Sequence, residues 1–246
     1  MNDILVSIVC ITYNHEKYIS KAIESFLSQK TSFKFEIVIH DDCSNDKTSK
    51  IIKNFQTLYP ELIKIISQKA NQFSKGKRIY PIAFDYCKGE YFALCDGDDY
   101  WASDNKLQLQ VDALQANKYV DLCFHDALNL FPNGKFKKFS SGFNRIYYPN
   151  IKLFYQNLKF TFFQNESDYK FISADKVIEK GGEFAHTGSL LIRSSSLNDL
   201  PDFIRTAPVS DYYLQIISSV RGGAIFIKKL MSVYRIHSSV ASWSSS

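Results

Sequence analysis

The stretch YFALCDGDDYW, residues 91–101, ends an apolar run with three aspartates in four positions, Asp96, Asp98 and Asp99. Carboxylates this close repel one another, so something must reward holding them together. Three chemistries fit: ligation of a hard divalent cation, which takes carboxylate oxygens and substrate phosphates; capping of a helix N-terminus; or an acid/base pair. Gly97 between the acids allows a tight bend and close backbone approach. A Mg²⁺ or Mn²⁺ ion would offset both the mutual repulsion and the charge of a diphosphate. Capping is the rival reading, although Ser103 or Asp104 is better placed for the helix that follows. A second acidic pair, Asp41-Asp42, follows FEIVIH. These acids could accept hydrogen bonds from a nucleobase N–H or a ribose hydroxyl, or form a turn in which Ser44, Asn45 or Asp46 caps the next helix. A third polar cluster, Thr12-Tyr13-Asn14, ends the first apolar run.

The elements that position these clusters follow from hydrophobic periodicity. ILVSIVCIT (4–12) is a nearly continuous β-branched run, as expected for a strand buried on both faces of a parallel sheet. Lys17 to Gln29 reads as a helix, FEIVIH (35–40) as a strand, Lys47 to Leu58 as a helix and LIKIISQ (62–68) as a strand. Ile79 to Cys87 reads as a helix with Pro81 in its first turn, EYFALC (90–95) as a strand and Lys106 to Ala116 as a helix. Four strand–helix repeats predict a doubly wound α/β scaffold, whose ligands bind outside the carboxyl ends of the strands. All three polar clusters fall at such ends. Beyond residue 116, VDLCFHDALNL (120–130) predicts a strand and FPNGKF an Asn-Gly hairpin turn. Ser173 to Lys180 predicts a short helix ended by Gly181-Gly182, TGSLLIR (187–193) a strand, Asp211 to Val220 a helix, and AIFIKKLMSVYRIH (224–237) one or two closing strands.

The chain has 246 residues and a formal charge of +5, and 45% of it is apolar, enough for a real core. The mild charge does not by itself argue for nucleic acid, for which a clustered basic face is expected. Five cysteines without CxxC spacing, with Cys10 and Cys95 inside apolar runs, favour a reducing compartment. MNDILVSIVCIT lacks the basic region of a signal peptide, and no apolar run reaches bilayer length. The expectation is a cytoplasmic protein. Oligomeric state is not legible.

VSIVCITYNHEKYISKAIESFLSQ, FEIVIHDDCSNDKT and KGEYFALCDGDDYW resemble, in order, the motifs of the inverting glycosyltransferases of family 2. HTGSLLIRSSSL, SDYYLQIISSVRGGAIFI and MSVYRIHSSVASWS are similar to that family's acceptor half. The resemblance implies a GT-A fold with a mostly parallel central sheet and helices on both faces. Residues 1–116 would form the nucleotide-sugar half and 117–246 the acceptor half, a smaller region of the same domain. It also implies roles: Thr12, Tyr13 and Asn14 line the nucleotide pocket, with Tyr13 beside the base. Asp41 and Asp42 contact base and ribose, Asp96 lies near ribose and metal, and Asp98 is the main ligand of Mn²⁺ or Mg²⁺. Asp211 matches the catalytic base, although Ser210-Asp211 stands where members often show Glu-Asp; the rival reading is a helix cap. His237 matches a histidine of the metal shell or diphosphate contact, against a structural hydrogen bond. His186, Asp99 and Trp101 fall on the acceptor side. His15, His40 and His125 receive no role, and Arg78 and Arg235 read either as phosphate-neutralising or, in the favoured reading, as surface or salt-bridge residues.

The implied partners are a nucleoside-diphosphate sugar, UDP-linked in the commonest case, and a glycan or lipid-linked acceptor, as in bacterial surface polysaccharide synthesis. Two rivals remain: a nucleotidyltransferase, disfavoured by the lack of a glycine-rich basic loop, and a catalytically silent binding module. The Lys/aromatic segment 135–163 reads either as a peripheral contact with the inner face of the cell membrane or as an ordinary insertion.

Overall fold

The computed structural model describes residues 4–138, 147–148, 169–180, 184–208 and 210–237. Strands β1 (Ile4–Thr12), β2 (Lys34–Asp41), β3 (Ile63–Ser67) and β4 (Tyr91–Asp96) alternate with helices α1 (Ile19–Leu27), α2 (Thr48–Leu58) and α3 (Ile79–Phe84). β5 (Tyr100–Trp101), α4 (Lys106–Ala116), β6 (Leu122–Leu130), β7 (Phe136–Lys138), β8 (Tyr147–Tyr148) and β9 (Tyr169–Ile172) follow. The described chain closes with α5 (Ala174–Lys180), β10 (Leu191–Arg193), α6 (Ser210–Ser219) and β11 (Ala224–Arg235).

One sheet runs through both halves in the order β3-β2-β1-β4-β10-β6-β11-β5. β3, β2, β1 and β4 are mutually parallel. β10 inserts antiparallel between β4 and β6, β11 runs parallel to β6, and β5 closes antiparallel on β11. The continuous apolar runs follow from burial on both faces. Val6, Ile8 and Cys10 of β1 pack with Ile23 and Phe26 of α1, Ile52 of α2 and Leu107 of α4. Val9 faces the opposite layer, with Tyr80 and Ala83 of α3, Phe92 and Leu94 of β4, Val177 of α5 and Leu214 of α6. All five cysteines are free thiols, and Cys10 and Cys95 are buried on adjacent strands.

Two expectations change. Only Leu191–Arg193 of TGSLLIR is strand; Thr187–Ser189 forms a 3-10 turn because the His186 side chain accepts the Gly188 N–H. The closing segment is a single strand, within the one or two expected, with register shifts between Ile227 and Ser232, and it pairs with β5, β6 and β9. Neither Ser103 nor Asp104 caps α4: Gln29, beyond the end of α1, accepts the Leu107 N–H at 3.1 Å and donates to the Ser103 carbonyl at 2.7 Å. The Asn-Gly turn forms, with Gly134 left-handed at φ 75° between β6 and β7. Gly181-Gly182 and most of 135–163 lie outside the described residues; there, Lys138 pairs with Asp126 at 2.6 Å. Among the described residues no helix is long and apolar enough to cross a membrane.

Candidate active site

A cleft of about 860 Å³ opens at the carboxyl ends of β1, β2 and β4, lined among others by Thr12, Tyr13, Asn14, His15, Asp42, Phe73, Asp96, Asp98, Tyr234 and His237. This is where a sheet of this topology leaves room between strand ends. The turn after β4 docks tightly on β1. The Gly97 N–H donates to the Ile11 carbonyl at 2.8 Å, and a Cβ on Gly97 would meet Thr12 Oγ1 at 2.7 Å and Ile19 Cδ1 at 2.9 Å. Glycine is required here for close approach.

One oxygen from each of Asp96, Asp98 and Asp99 lies within 4.8 Å of the other two. Asp96 Oδ1 accepts the Tyr80 hydroxyl at 2.8 Å; burial, then the charge of Asp98, pushes its carboxyl up to about 7. Burial also pushes Asp98 up, but the hydrogen bond from His237 and the charges of His15 and His237 outweigh it and hold Asp98 below the ordinary value. His237 Nε2 lies 2.8 Å and His15 Nε2 3.8 Å from Asp98 Oδ2. Asp99 is fully buried: Oδ1 accepts the Arg235 N–H at 2.8 Å, while Oδ2 makes no hydrogen bond and lies 3.4 Å from His186 Nε2. Burial, then Asp98 and Asp96, raises its carboxyl well above the ordinary value. An all-oxygen cluster with an unsatisfied buried oxygen and an imidazole on its central acid fits a hard divalent cation.

Asp211, at the start of α6, accepts hydrogen bonds from Thr187 Oγ1 at 3.1 Å and from the Tyr212 N–H at 2.9 Å. Burial raises its carboxyl despite those bonds, and its charge is felt at Asp96. The other acidic pair is differently employed. Asp41 is buried and accepts from the Ser44 N–H and hydroxyl and from the Ser49 hydroxyl. Asp42 reaches the cleft wall, but its two oxygens accept the Gln72 and Phe73 N–H groups at 2.8 and 3.0 Å. Asn14, left-handed at φ 56°, joins the tips of β1 and β2 through Asn14 Oδ1, which accepts the Asn45 N–H. Asp46 caps α2 at the Thr48 N–H.

Trp101 is buried against Phe26 below Lys106, with its indole N–H on the Gly188 carbonyl, and does not line the cleft. His186 is buried between Asp99 and the Tyr234 ring. Sequence reasoning missed His15, Tyr80, Phe73 and Tyr234. His15 had a signal, standing three residues from Thr12, to whose Oγ1 its Nδ1 bonds at 3.2 Å. The others reach the site only through tertiary packing. Arg235 lies over the Tyr18 and Tyr100 rings and bonds the Asp98 carbonyl, and Arg78 lies over Phe73 and bonds the Ala207 carbonyl.

The family model described as Glycosyl transferase family 2 matches residues 7–195. The chain belongs to this family. Among its relatives, an uncharacterized protein of Mycobacterium tuberculosis is 30% identical over 233 residues, 94% of this chain and 59% of that protein. The chain thus spans about three-fifths of that relative's length. The Escherichia coli protein WfgD, named a UDP-Glc:alpha-D-GlcNAc-diphosphoundecaprenol beta-1,3-glucosyltransferase, is 34% identical over 48% of this chain and 44% of its own. The mannosyltransferase PcManGT from Pyrobaculum calidifontis, solved in complex with GDP-Man and Mn²⁺, superposes at a TM-score of 0.63 over 96% of this chain and 58% of its own, at 15% identity. The shared architecture is the GT-A fold.

Proposed function

We propose that this chain is a metal-dependent, inverting glycosyltransferase. It would move a sugar from a nucleoside diphosphate to a hydroxyl of a glycan or glycolipid acceptor in polysaccharide assembly. The observation that carries this reading is the cluster of Asp96, Asp98 and Asp99, one oxygen of each within 4.8 Å of the others, at the cleft that Asp96, Asp98 and His237 line, with His237 bonded to Asp98. The names of WfgD and PcManGT support a nucleotide-sugar donor, and that of PcManGT supports Mn²⁺.

Tyr13, Thr12 and Asp42 line the wall assigned to base and ribose, with Asn14 and Asp41 bracing it. Asp98, Asp96 and His237 would hold Mn²⁺ or Mg²⁺. That ion, when bound, supplies positive charge against the diphosphate that departs. Asp211 takes the proton of the acceptor hydroxyl as its oxygen attacks the anomeric carbon from the face opposite the diphosphate. The new C–O bond forms as the old one breaks, its electron pair leaving on the diphosphate oxygen, and the configuration inverts. Thr187 Oγ1 and the Tyr212 N–H keep the Asp211 carboxylate oriented, and burial strengthens it as a base.

A screen of UDP-, dTDP- and GDP-sugars with Mn²⁺ tests this reading. Release of nucleoside diphosphate from one donor, abolished in Asp98→Ala, is expected. Release of pyrophosphate, or no turnover and no binding of any donor, overturns it.

A further inference from the structure

Three consecutive residues of one buried turn each hold a different part of the candidate site. The turn covers residues 186–189, with Thr187–Ser189 in 3-10 form, and all of it is buried. His186 Nε2 stands 3.4 Å from Asp99 Oδ2, the oxygen without a hydrogen bond. Thr187 Oγ1 donates to Asp211 Oδ2 at 3.1 Å. The Gly188 carbonyl accepts the indole N–H of Trp101 at 3.0 Å, and Trp101 follows closely on Asp99 in the chain. The Gly188 N–H donates to His186 Nδ1 at 3.1 Å, which commits the lone pair of that nitrogen. The ring is therefore neutral, with its one proton on Nε2, the atom beside Asp99. The turn is also bound from behind. Ser189 Oγ donates to the His186 carbonyl at 2.6 Å and Gln110 Nε2 to the Ser189 carbonyl at 2.8 Å. Lys106 Nζ donates to Gln110 Oε1 at 2.7 Å and lies 4.1 Å from the centre of the Trp101 ring. A Cβ on Gly188 would meet His186 Nδ1 at 3.2 Å, so the peptide and the imidazole are in close contact.

We propose that this turn couples the two ends of the candidate site, with His186 and Thr187 as positioning residues through which occupancy of the acidic turn sets the orientation of Asp211. The inference rests on the transferase reading above and adds how the ion site and the base are kept in step. At 3.4 Å the His186–Asp99 contact is slightly longer than an N–H···O hydrogen bond. Asp99 Oδ2 thus has two alternatives, the Nε2 proton or a cation among the three acids, and a shift between them is felt at His186. A turn bonded at every residue and packed at interior density moves as a unit rather than bending. Thr187 is the next residue along, so a displacement at His186 reaches the Asp211 carboxylate through one side-chain hydrogen bond. Partners one layer out from a metal orient its ligands in the same way.

Heteronuclear NMR on the whole chain tests this. Mg²⁺ is added alone and then with UDP, dTDP and GDP in turn. The reporter is the Tyr212 amide, which donates to Asp211 Oδ1. In the unaltered chain Mg²⁺ is expected to shift the Gly97 and Asp98 amides and, with the same apparent affinity, the Tyr212 amide. At saturating Mg²⁺ the Tyr212 shift should fall at least about twofold in His186→Ala and in Thr187→Val, each of which removes one link of a coupled network. It should return in His186→Gln, which restores an N–H beside Asp99, and in Thr187→Ser, which restores the hydroxyl. The field of the ion acts through space and would shift Tyr212 equally in every variant. An undiminished shift in either folded variant therefore overturns the proposal, as does a nitrogen spectrum showing His186 protonated on Nδ1. Silence of Gly97 and Asp98 under every condition would sink the ion reading and the coupling with it, whereas their response without that of Tyr212 would sink only the coupling.

Discussion

Two acidic turns, one strand apart, follow buried parallel strands and are built from the same residue type, yet the chain treats them oppositely. After β2, each of the four carboxylate oxygens of Asp41 and Asp42 receives a hydrogen bond from the protein's own N–H or O–H groups. After β4, three carboxylates crowd within 4.8 Å of one another, and the buried Asp99 Oδ2 makes no hydrogen bond. The two turns differ in how far the protein's own donors satisfy the acids: Asp96, Asp98 and Asp99 each accept one bond, from Tyr80, His237 and Arg235, but Asp99 Oδ2 is left over. A carboxylate satisfied by amides stabilises a loop; carboxylates left facing each other store repulsion that a cation relieves.

The comparison can be broken most severely at Asp98. Asp98→Ala is expected to reduce transfer below detection and to abolish Mn²⁺ binding by calorimetry while thermal unfolding stays cooperative; retained Mn²⁺ binding would make the β4 turn another brace. Asp211→Asn should lower kcat by about 10²- to 10⁴-fold with donor affinity unchanged. In the unaltered enzyme the acid limb of the rate profile should lie above an ordinary aspartate's 3.8, because burial raises this carboxyl. On the brace side, Asp41→Ala should leave Mn²⁺ affinity intact and cost about 1–3 kcal/mol in urea unfolding, since the Ser44 amide and two serine hydroxyls lose their acceptor. Gly97→Ala should cost a similar ~1–3 kcal/mol, because the added carbon falls 2.7 Å from Thr12 Oγ1 and the turn must shift; Mn²⁺ affinity should fall with it.

The smallest effect concerns protons. Asp96 keeps its proton in the folded chain to about pH 7, whereas an ordinary aspartate releases it near 3.8. The folded state thus binds more protons at this group within that window, and its contribution to stability declines as pH rises through it. Asp96→Asn, which resembles the protonated acid and can still accept the Tyr80 hydroxyl, should therefore gain melting temperature over the unaltered chain at pH 8 and not at pH 4. A constant difference across that range would show that Asp96 is not strained.

The βα succession was legible because strands buried on both faces leave long apolar runs, and α1, α2 and α4 begin and end within about two residues of their hydrophobic pattern. The acidic turn was legible because three aspartates at one strand end have few uses. What stayed hidden depends on contacts far apart in sequence. Gln29 caps a helix 78 residues away. Trp101 reads like a ring at the edge of a site and is core, because Phe26 and Lys106 enclose it. The Asp41 brace depends on Ser49, eight residues on and inside the next helix, so spacing alone does not separate a base-binding acid from a loop-holding one.

Arg235 is the far end of that problem. Its amide holds Asp99, its guanidinium holds the Asp98 carbonyl, and β11 gives β5 its pairing partner, more than 130 residues after the turn they secure. A ribosome thus finishes all three acids long before it makes the clasp that fixes them, and a nascent chain cannot hold the acidic turn in this geometry until β11 is laid down.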